Sequence, residues 1–166
     1  VTIIHYVRGD ATEPRGDGHK IIVHCCNDIG AWGAGFVLAI SKKWPHVEDA
    51  YRALGSYALG DVQFVKATED ITVANIIGQH GIGGMSRALD SGRKLSAGYR
   101  DKHPPIRYEA IEQGLRVVRY RATNHAHLAS VHMPRMGCGL AGGSWDTMEP
   151  IIAKALQDLE VTVYDF

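Results

Sequence analysis

Glycine in this chain is gathered rather than scattered. Of its 19 glycines, three fall within residues 30–35, four within 78–84 and four within 137–143. Glycine concentrates where backbone turns sharply or where something must approach it closely. Gly30-Ala-Trp-Gly-Ala-Gly35 and Gly137-Cys-Gly-Leu-Ala-Gly-Gly143 each follow a strand-like run and precede a helix-like one. Repeated crossings of that kind steer a chain towards an α/β sheet, in which ligands sit at the carboxyl ends of the strands.

Ile3–Val7, Lys20–Cys25, Asp61–Lys66, Thr72–Ile77, Leu128–Met133 and Val161–Phe166 read as strands. Lys20–Cys25 is nearly continuous in apolar residues, which predicts a central strand. Helices are predicted over 35–43, near 47–54, over 106–121 and from Asp146 to Leu159. Pro45 closes the first of them. Asp146 and Glu149 have the spacing of a capping box, with Pro150 in the first turn. Two strands adjoin in the middle of the chain, joined at Thr68-Glu69-Asp70. The expected fold class is therefore α/β, a mixed sheet sandwiched between helices. Residues 78–105 read as a long, mobile, basic loop. From Gly81 to Arg107 there are six Lys/Arg against two Asp, and loops this long are commonly functional or disordered.

The length of 166 residues fits one domain over 1–166, since domains run to ~100–200 residues. Charge is balanced, with 18 Lys+Arg against 18 Asp+Glu. That argues against general nucleic-acid binding and leaves a small anionic ligand open. No apolar run approaches the ~18 residues of a membrane span. Val1-Thr-Ile-Ile-His5 reads as a strand rather than a secretory signal, and the absent Met points to trimming or an earlier start. Cys25, Cys26 and Cys138 lack CxxC spacing, so they are expected to be structural or pocket-lining thiols in a reducing cytoplasm.

Each glycine loop taken singly is either a tight turn or a phosphate cradle, because backbone N–H groups ahead of a helix receive anions. Neither is a Walker A loop or a full GxGxxG. Taken together they point to one diphosphate held from two sides. Asp10, ending the first strand, is a solvated turn residue or an acceptor for an amino group such as adenine N6. His24, Asn27 and Asp28 bracket the first loop, where they orient a sugar or a water, or where His24 is a satisfied core group. His80, at a strand end, is a base or a surface residue. His125-x-His127 lacks a third ligand, and no metal site is expected. Tyr164 and Phe166 flank an aromatic base or pack the core. Trp32, inside a glycine loop, covers a phosphate or a ribose.

Taken together, these residues resemble a macrodomain, the ADP-ribose-binding module. The resemblance spans essentially the whole chain, from Tyr6-Val-Arg-Gly-Asp10 to Thr162-Val-Tyr-Asp-Phe166. Its most specific segments are His24-Cys-Cys-Asn-Asp-Ile-Gly-Ala-Trp-Gly-Ala-Gly35 and Met133-Pro-Arg-Met-Gly-Cys-Gly-Leu140. Both look like the ALC1-like branch, which contains the terminal ADP-ribose protein glycohydrolase and the ADP-ribose 1''-phosphate phosphatase. The resemblance implies a mixed six-stranded sheet between helices and no cofactor. It implies that Asp10 and the backbone of Ala11 read the adenine amino group, with Tyr164 and Phe166 bordering the ring. Trp32, Gly33, Ala34 and Gly35 would wrap the distal ribose and pyrophosphate. Met136, Gly137, Cys138, Gly139 and Leu140 would hold the other side, and Asn27 would approach the distal ribose.

Two departures bear on chemistry. Where the glycohydrolase carries a nucleophilic lysine this chain has Gln79, and where it carries an aspartate this chain has Ala141. A Gln amide forms no Schiff base and Ala is no acid. The expected function is hydrolysis of mono-ADP-ribose from modified acidic side chains of proteins, without a lysine intermediate. Asn27, Asp28, His24, His80 and Gly137 are the candidate catalytic residues. The expected partners are ADP-ribose and mono-ADP-ribosylated proteins, with no membrane. The alternatives are a non-catalytic ADP-ribose reader and a phosphatase acting on ADP-ribose 1''-phosphate through His24.

Overall fold

A computed structural model describes residues 2–82, 104–139 and 141–166. Six strands form one sheet: β1 (Ile4–Arg8), β2 (Lys20–Asn27), β3 (Val62–Lys66), β4 (Ile71–Gln79), β5 (Ser130–Met133) and β6 (Val161–Asp165). Their spatial order is β1-β6-β5-β2-β4-β3. All neighbours run parallel except the hairpin of β3 and β4. The described helices are α1 (Phe36–Lys43), α2 (Pro45–Arg52), α3 (Tyr108–Thr123) and α4 (Trp145–Ala155). The expected mixed six-stranded sheet between helices is what forms.

β2 shows why the layers stack as they do. It is central and almost wholly buried, and successive side chains of a strand point to opposite faces. Ile21 and Val23 join the core beneath α3 and α4, with Ile111, Leu115, Val118, Met148 and Ile152. Ile22 and Cys26 join the opposite core, with Ile40 of α1 and Val47 and Tyr51 of α2. The register of β2 on β4 shifts between Cys26 and Asn27. That irregularity falls where the strand ends and the first glycine loop begins.

Three local expectations are corrected. Residue Ser144, not Asp146, is the N-cap of α4, and no side chain caps that helix. The Glu149 carboxylate instead accepts a hydrogen bond from the Tyr6 hydroxyl. Pro150 therefore lies inside α4 rather than in its first turn, and the helix ends at Ala155 rather than Leu159. Gly78 belongs to β4, not to a loop. A Cβ there would fall 2.2 Å from Ile111 Cδ1, so Gly78 is the point where α3 presses closest on the sheet. Residues 83–103 of the predicted basic loop lie outside the described residues.

Candidate functional site

Parallel strands place their carboxyl ends together, and two cavities open there. The larger, about 730 Å³, is lined by Asp10, Ala11, Lys42, Lys43, Tyr164 and Phe166 among others. The smaller, about 210 Å³, is walled by His24, Cys25, Ala34, Gln79, Arg135, Met136, Gly137, Gly139 and Ala141. Gly35, Phe36 and Pro134 line both. The two cavities are lobes of one cleft, with Phe36 at the partition.

In the larger lobe the Oδ1 of Asp10 accepts hydrogen bonds from the Thr12 amide at 2.8 Å and the Thr12 hydroxyl at 2.7 Å. No hydrogen bond reaches its other oxygen among the described residues. Tyr164 is buried, while Phe166 stands fully exposed at the rim. The Tyr164 hydroxyl accepts from the Arg15 amide at 2.9 Å and lies in hydrogen-bond contact with His132 Nδ1 at 2.7 Å. His132 Nε2 in turn meets Ser130 Oγ at 2.7 Å. Burial holds the His132 pKa down to about 4, so this relay contains a neutral imidazole.

In the smaller lobe the second glycine loop arches over the α4 side. Gly137 has φ +76°, and a Cβ there would strike Ile106 Cδ1 at 2.7 Å. Gly139 has open space around it. Gln79 donates from Nε2 to the Gly81 carbonyl at 3.0 Å. Ala141 is buried and presents only a methyl group. Burial pushes the Cys25 thiol up to about 12, which removes it as a nucleophile near neutral pH. Cys138 lines neither lobe, and Leu140 lies outside the described residues.

Asn27 is committed to the loop itself. Its Oδ1 accepts from the amides of Ile29 (3.1 Å) and Ala31 (3.0 Å), and its Nδ2 donates to the Ala31 carbonyl at 2.7 Å. Asn27, expected to orient a sugar or a water, here folds residues 28–31 around its side-chain amide. His24 is 2 % exposed, and its Nε2 lies 2.5 Å from Asn75 Oδ1. Since that oxygen only accepts, Nε2 carries the proton. Burial brings the His24 pKa down to about 4. His24 is thus a neutral, satisfied core group that also borders the lobe. Trp32 is 4 % exposed and packs edge-on to His24 in the α1/α2 core, lining neither lobe. Gly33 lines neither lobe either, whereas its neighbours Ala34 and Gly35 do.

Asp28 and His80 meet. Asp28 Oδ2 lies 2.6 Å from His80 Nδ1, and Oδ1 accepts from the Gly81 amide at 2.7 Å. The pair joins the ends of β2 and β4 beside Gln79, whose carbonyl accepts from the Asp28 amide at 3.1 Å.

Phe36, Pro134, Arg135 and Thr12 line the cleft without having been singled out in the sequence. Phe36 reads there as an ordinary helix-core residue. Arg135 was visible only as the middle of Met133-Pro-Arg-Met136. Its guanidinium bonds both oxygens of Asp165, at 2.6 and 3.0 Å, and lies over the rings of Tyr6 and Trp145. His125 and His127 lie at the other end of the sheet, beside His19. Among the described residues no cluster of three His, Cys, Asp or Glu is placed to hold a metal. No described helix is long and apolar enough to cross a membrane.

A solved structure of a macrodomain protein from Streptomyces coelicolor is 46 % identical, with a TM-score of 0.76 over 99 % of both chains. The chain belongs to the macrodomain family. No family model matches it. A structure of a protein of unknown function from Bacteroides thetaiotaomicron resembles this macrodomain more strongly, at 50 % identity and a TM-score of 0.83, again over 99 % of both chains. Among curated relatives, the chromodomain-helicase-DNA-binding protein 1-like of Danio rerio is 32 % identical over 93 % of this chain. This macrodomain spans only about a seventh of that relative and a sixth of its mouse counterpart. The ADP-ribose 1''-phosphate phosphatase of Candida glabrata is 27 % identical over 98 % of both chains.

Proposed function

We propose that this macrodomain binds ADP-ribose in the two-lobed cleft and hydrolyses mono-ADP-ribose from modified acidic side chains of proteins. The observation that carries the proposal is the cleft itself. One lobe has a carboxylate oxygen of Asp10 and the ring of Phe166 for a base. The other has two glycine-loop walls for a pyrophosphate and a distal ribose. A shared partition spans the distance between them.

Adenine sits in the larger lobe, its amino group donating to Asp10 and the backbone of Ala11 reading the ring edge. The pyrophosphate lies across Gly35, between the first turn of α1 and the Gly137–Gly139 backbone. The distal ribose enters the smaller lobe, against Gln79, Met136 and Ala141. A carboxylate ester at the anomeric carbon already has a good leaving group. Water forms the new bond to that carbon, the bond to the ester oxygen breaks, and the side chain departs as a carboxylate. Gln79 and Ala141 in the wall supply neither an amine nor an acid at those two positions. The Asp28–His80 pair lines neither lobe but is tied to Gln79 of the wall through the Asp28 amide, and we assign it the proton of the water. Catalysis then rests on positioning and on stabilising the charge that develops. The substrates are mono-ADP-ribosylated proteins, and the free thiols suit a reducing cytoplasm.

The test is a protein mono-ADP-ribosylated on glutamate. Free ADP-ribose should appear well above the uncatalysed rate. Binding of ADP-ribose without release would make the domain a reader. The Candida glabrata relative favours a second reading, phosphate release from ADP-ribose 1''-phosphate. Burial and the bond to Asn75 leave His24 unsuited to carry it. Phosphate release that is lost in His24→Ala, with ADP-ribose affinity intact, would reverse that view.

A further inference from the structure

The first glycine loop is held by a helix that lines neither lobe. Tyr51 of α2 points its hydroxyl at Asn27, 2.6 Å from the backbone carbonyl and 3.0 Å from Oδ1. One residue on, Arg52 donates from a terminal nitrogen to the Trp32 carbonyl at 2.8 Å. Its Nε is oriented by Glu48, 2.8 Å away and one turn earlier on the helix. Tyr57, just beyond α2, donates to the Tyr51 carbonyl at 2.7 Å and lays its ring against Gly30. A Cβ on Gly30 would meet that ring at 2.9 Å. The loop is therefore pinned at its start, its middle and its far end before Ala34 and Gly35 enter the cleft.

We propose that Tyr51, Arg52 and Tyr57 form a brace that positions the 27–35 loop for ligand, with Arg52 as its adjustable member. The proposal rests on the reading of the cleft as an ADP-ribose site. The amides of Ile29 and Ala31 are already spent on Asn27 Oδ1, so the amides left for a ligand lie further along the loop. The brace takes none of those, because it grips carbonyls and the Asn27 side chain. Ordering the loop in advance lowers the cost of binding. Arg52 suits separation of this role from folding, because its side chain is about half exposed, whereas Tyr51 lies wholly in the core.

These residues act through the loop and touch no ligand, so the test needs two readouts. In Arg52→Ala, hydrogen exchange at the amides of Ile29 and Ala31 should accelerate, with the melting temperature nearly unchanged. ADP-ribose affinity by calorimetry should fall roughly three- to tenfold, the scale of one lost hydrogen bond. Arg52→Lys, which can still donate to the Trp32 carbonyl, should recover part of both. Tyr57→Phe serves as a second variant that keeps the ring on Gly30. Unchanged exchange and affinity in Arg52→Ala would overturn the brace. If the unaltered protein binds no ADP-ribose, the reading of the cleft fails, and exchange at Ile29 and Ala31 still decides whether the brace exists.

Discussion

His80 Nδ1 lies 2.6 Å from Asp28 Oδ2, across the join between the ends of β2 and β4. The two residues are 52 positions apart, and parallel pairing of their strands brings them together. The carboxylate orients the imidazole ring beside Gln79. His80→Ala should slow release of ADP-ribose by about a hundredfold or more, the lower side of general-base effects. ADP-ribose affinity should change little. Asp28→Asn should do the same, and the double variant should be no slower than either alone. Full activity in His80→Ala would remove the pair from the chemistry.

Gly139 and Gly137 separate two effects of added bulk. A Cβ on Gly139, which lines the smaller lobe, meets nothing within 4 Å, so Gly139→Val adds bulk at the wall without a clash in the fold. It should abolish measurable binding while the melting temperature holds. Gly137→Val forces a Cβ onto Ile106 and a strained φ. It should cost about 1–3 kcal/mol of stability, as overpacking does, in addition to blocking the site. The sequence alone suggests that this second substitution leaves the fold intact, because Ile106 and Gly137 are not neighbours until the chain is folded. Tight binding by Gly139→Val would remove the second loop from the ligand site.

Asp10 has two roles, divided between its oxygens. Oδ1 shapes the turn through Thr12, and the second oxygen faces the larger lobe's ligand in the proposed pose. Asp10→Ala loses both and should weaken ADP-ribose by roughly 1–3 kcal/mol, the scale of a charge-assisted hydrogen bond. Asp10→Asn retains an acceptor for Thr12 and should leave stability untouched while still weakening binding. Calorimetry showing native affinity in both variants would exclude the adenine contact.

Stability should depend on pH through His24 and His132. Each is held near a pKa of about 4 by burial, whereas a free imidazole titrates near about 6.5. Between these values the unfolded chain binds more protons than the folded one. Their contribution is therefore complete above about pH 6.5 and is lost as pH falls towards about 4. Melting temperatures across that window should decline on acidification, and His132→Gln should flatten part of the slope. A flat profile would show that these rings are not buried as described.

The sheet was legible in the sequence because its signals are local. Continuous apolar character marks β2, and a proline marks the junction of α1 and α2. The large and small lobes were also largely legible, since Asp10, Gln79, Ala141 and Tyr164 sit at strand ends or in glycine loops. Three things were not. Trp32 reads as a ligand cover because it stands among glycines, yet the pressure to bury an indole draws it into the α2 core. Ser144 takes the cap from Asp146 because the Tyr108 hydroxyl receives the Ser144 amide, a contact spanning 36 residues. The grip of Tyr51 and Arg52 on the first loop depends on how α2 lies over the sheet, which no short-range pattern records.

Gly35 is the N-cap of α1, no side chain makes a capping hydrogen bond there, and both lobes open onto the first turn. Among the described residues, cations and carboxylates around it are paired in number. Lys42 and Lys43 share the larger lobe with Asp10 and Glu13, and Arg135 is matched by Asp165. In the proposed pose the attraction for ADP-ribose comes from backbone N–H groups at this turn, at short range, where salt screens least. The dissociation constant for ADP-ribose should therefore move by less than about threefold between roughly 0.05 and 0.5 M salt.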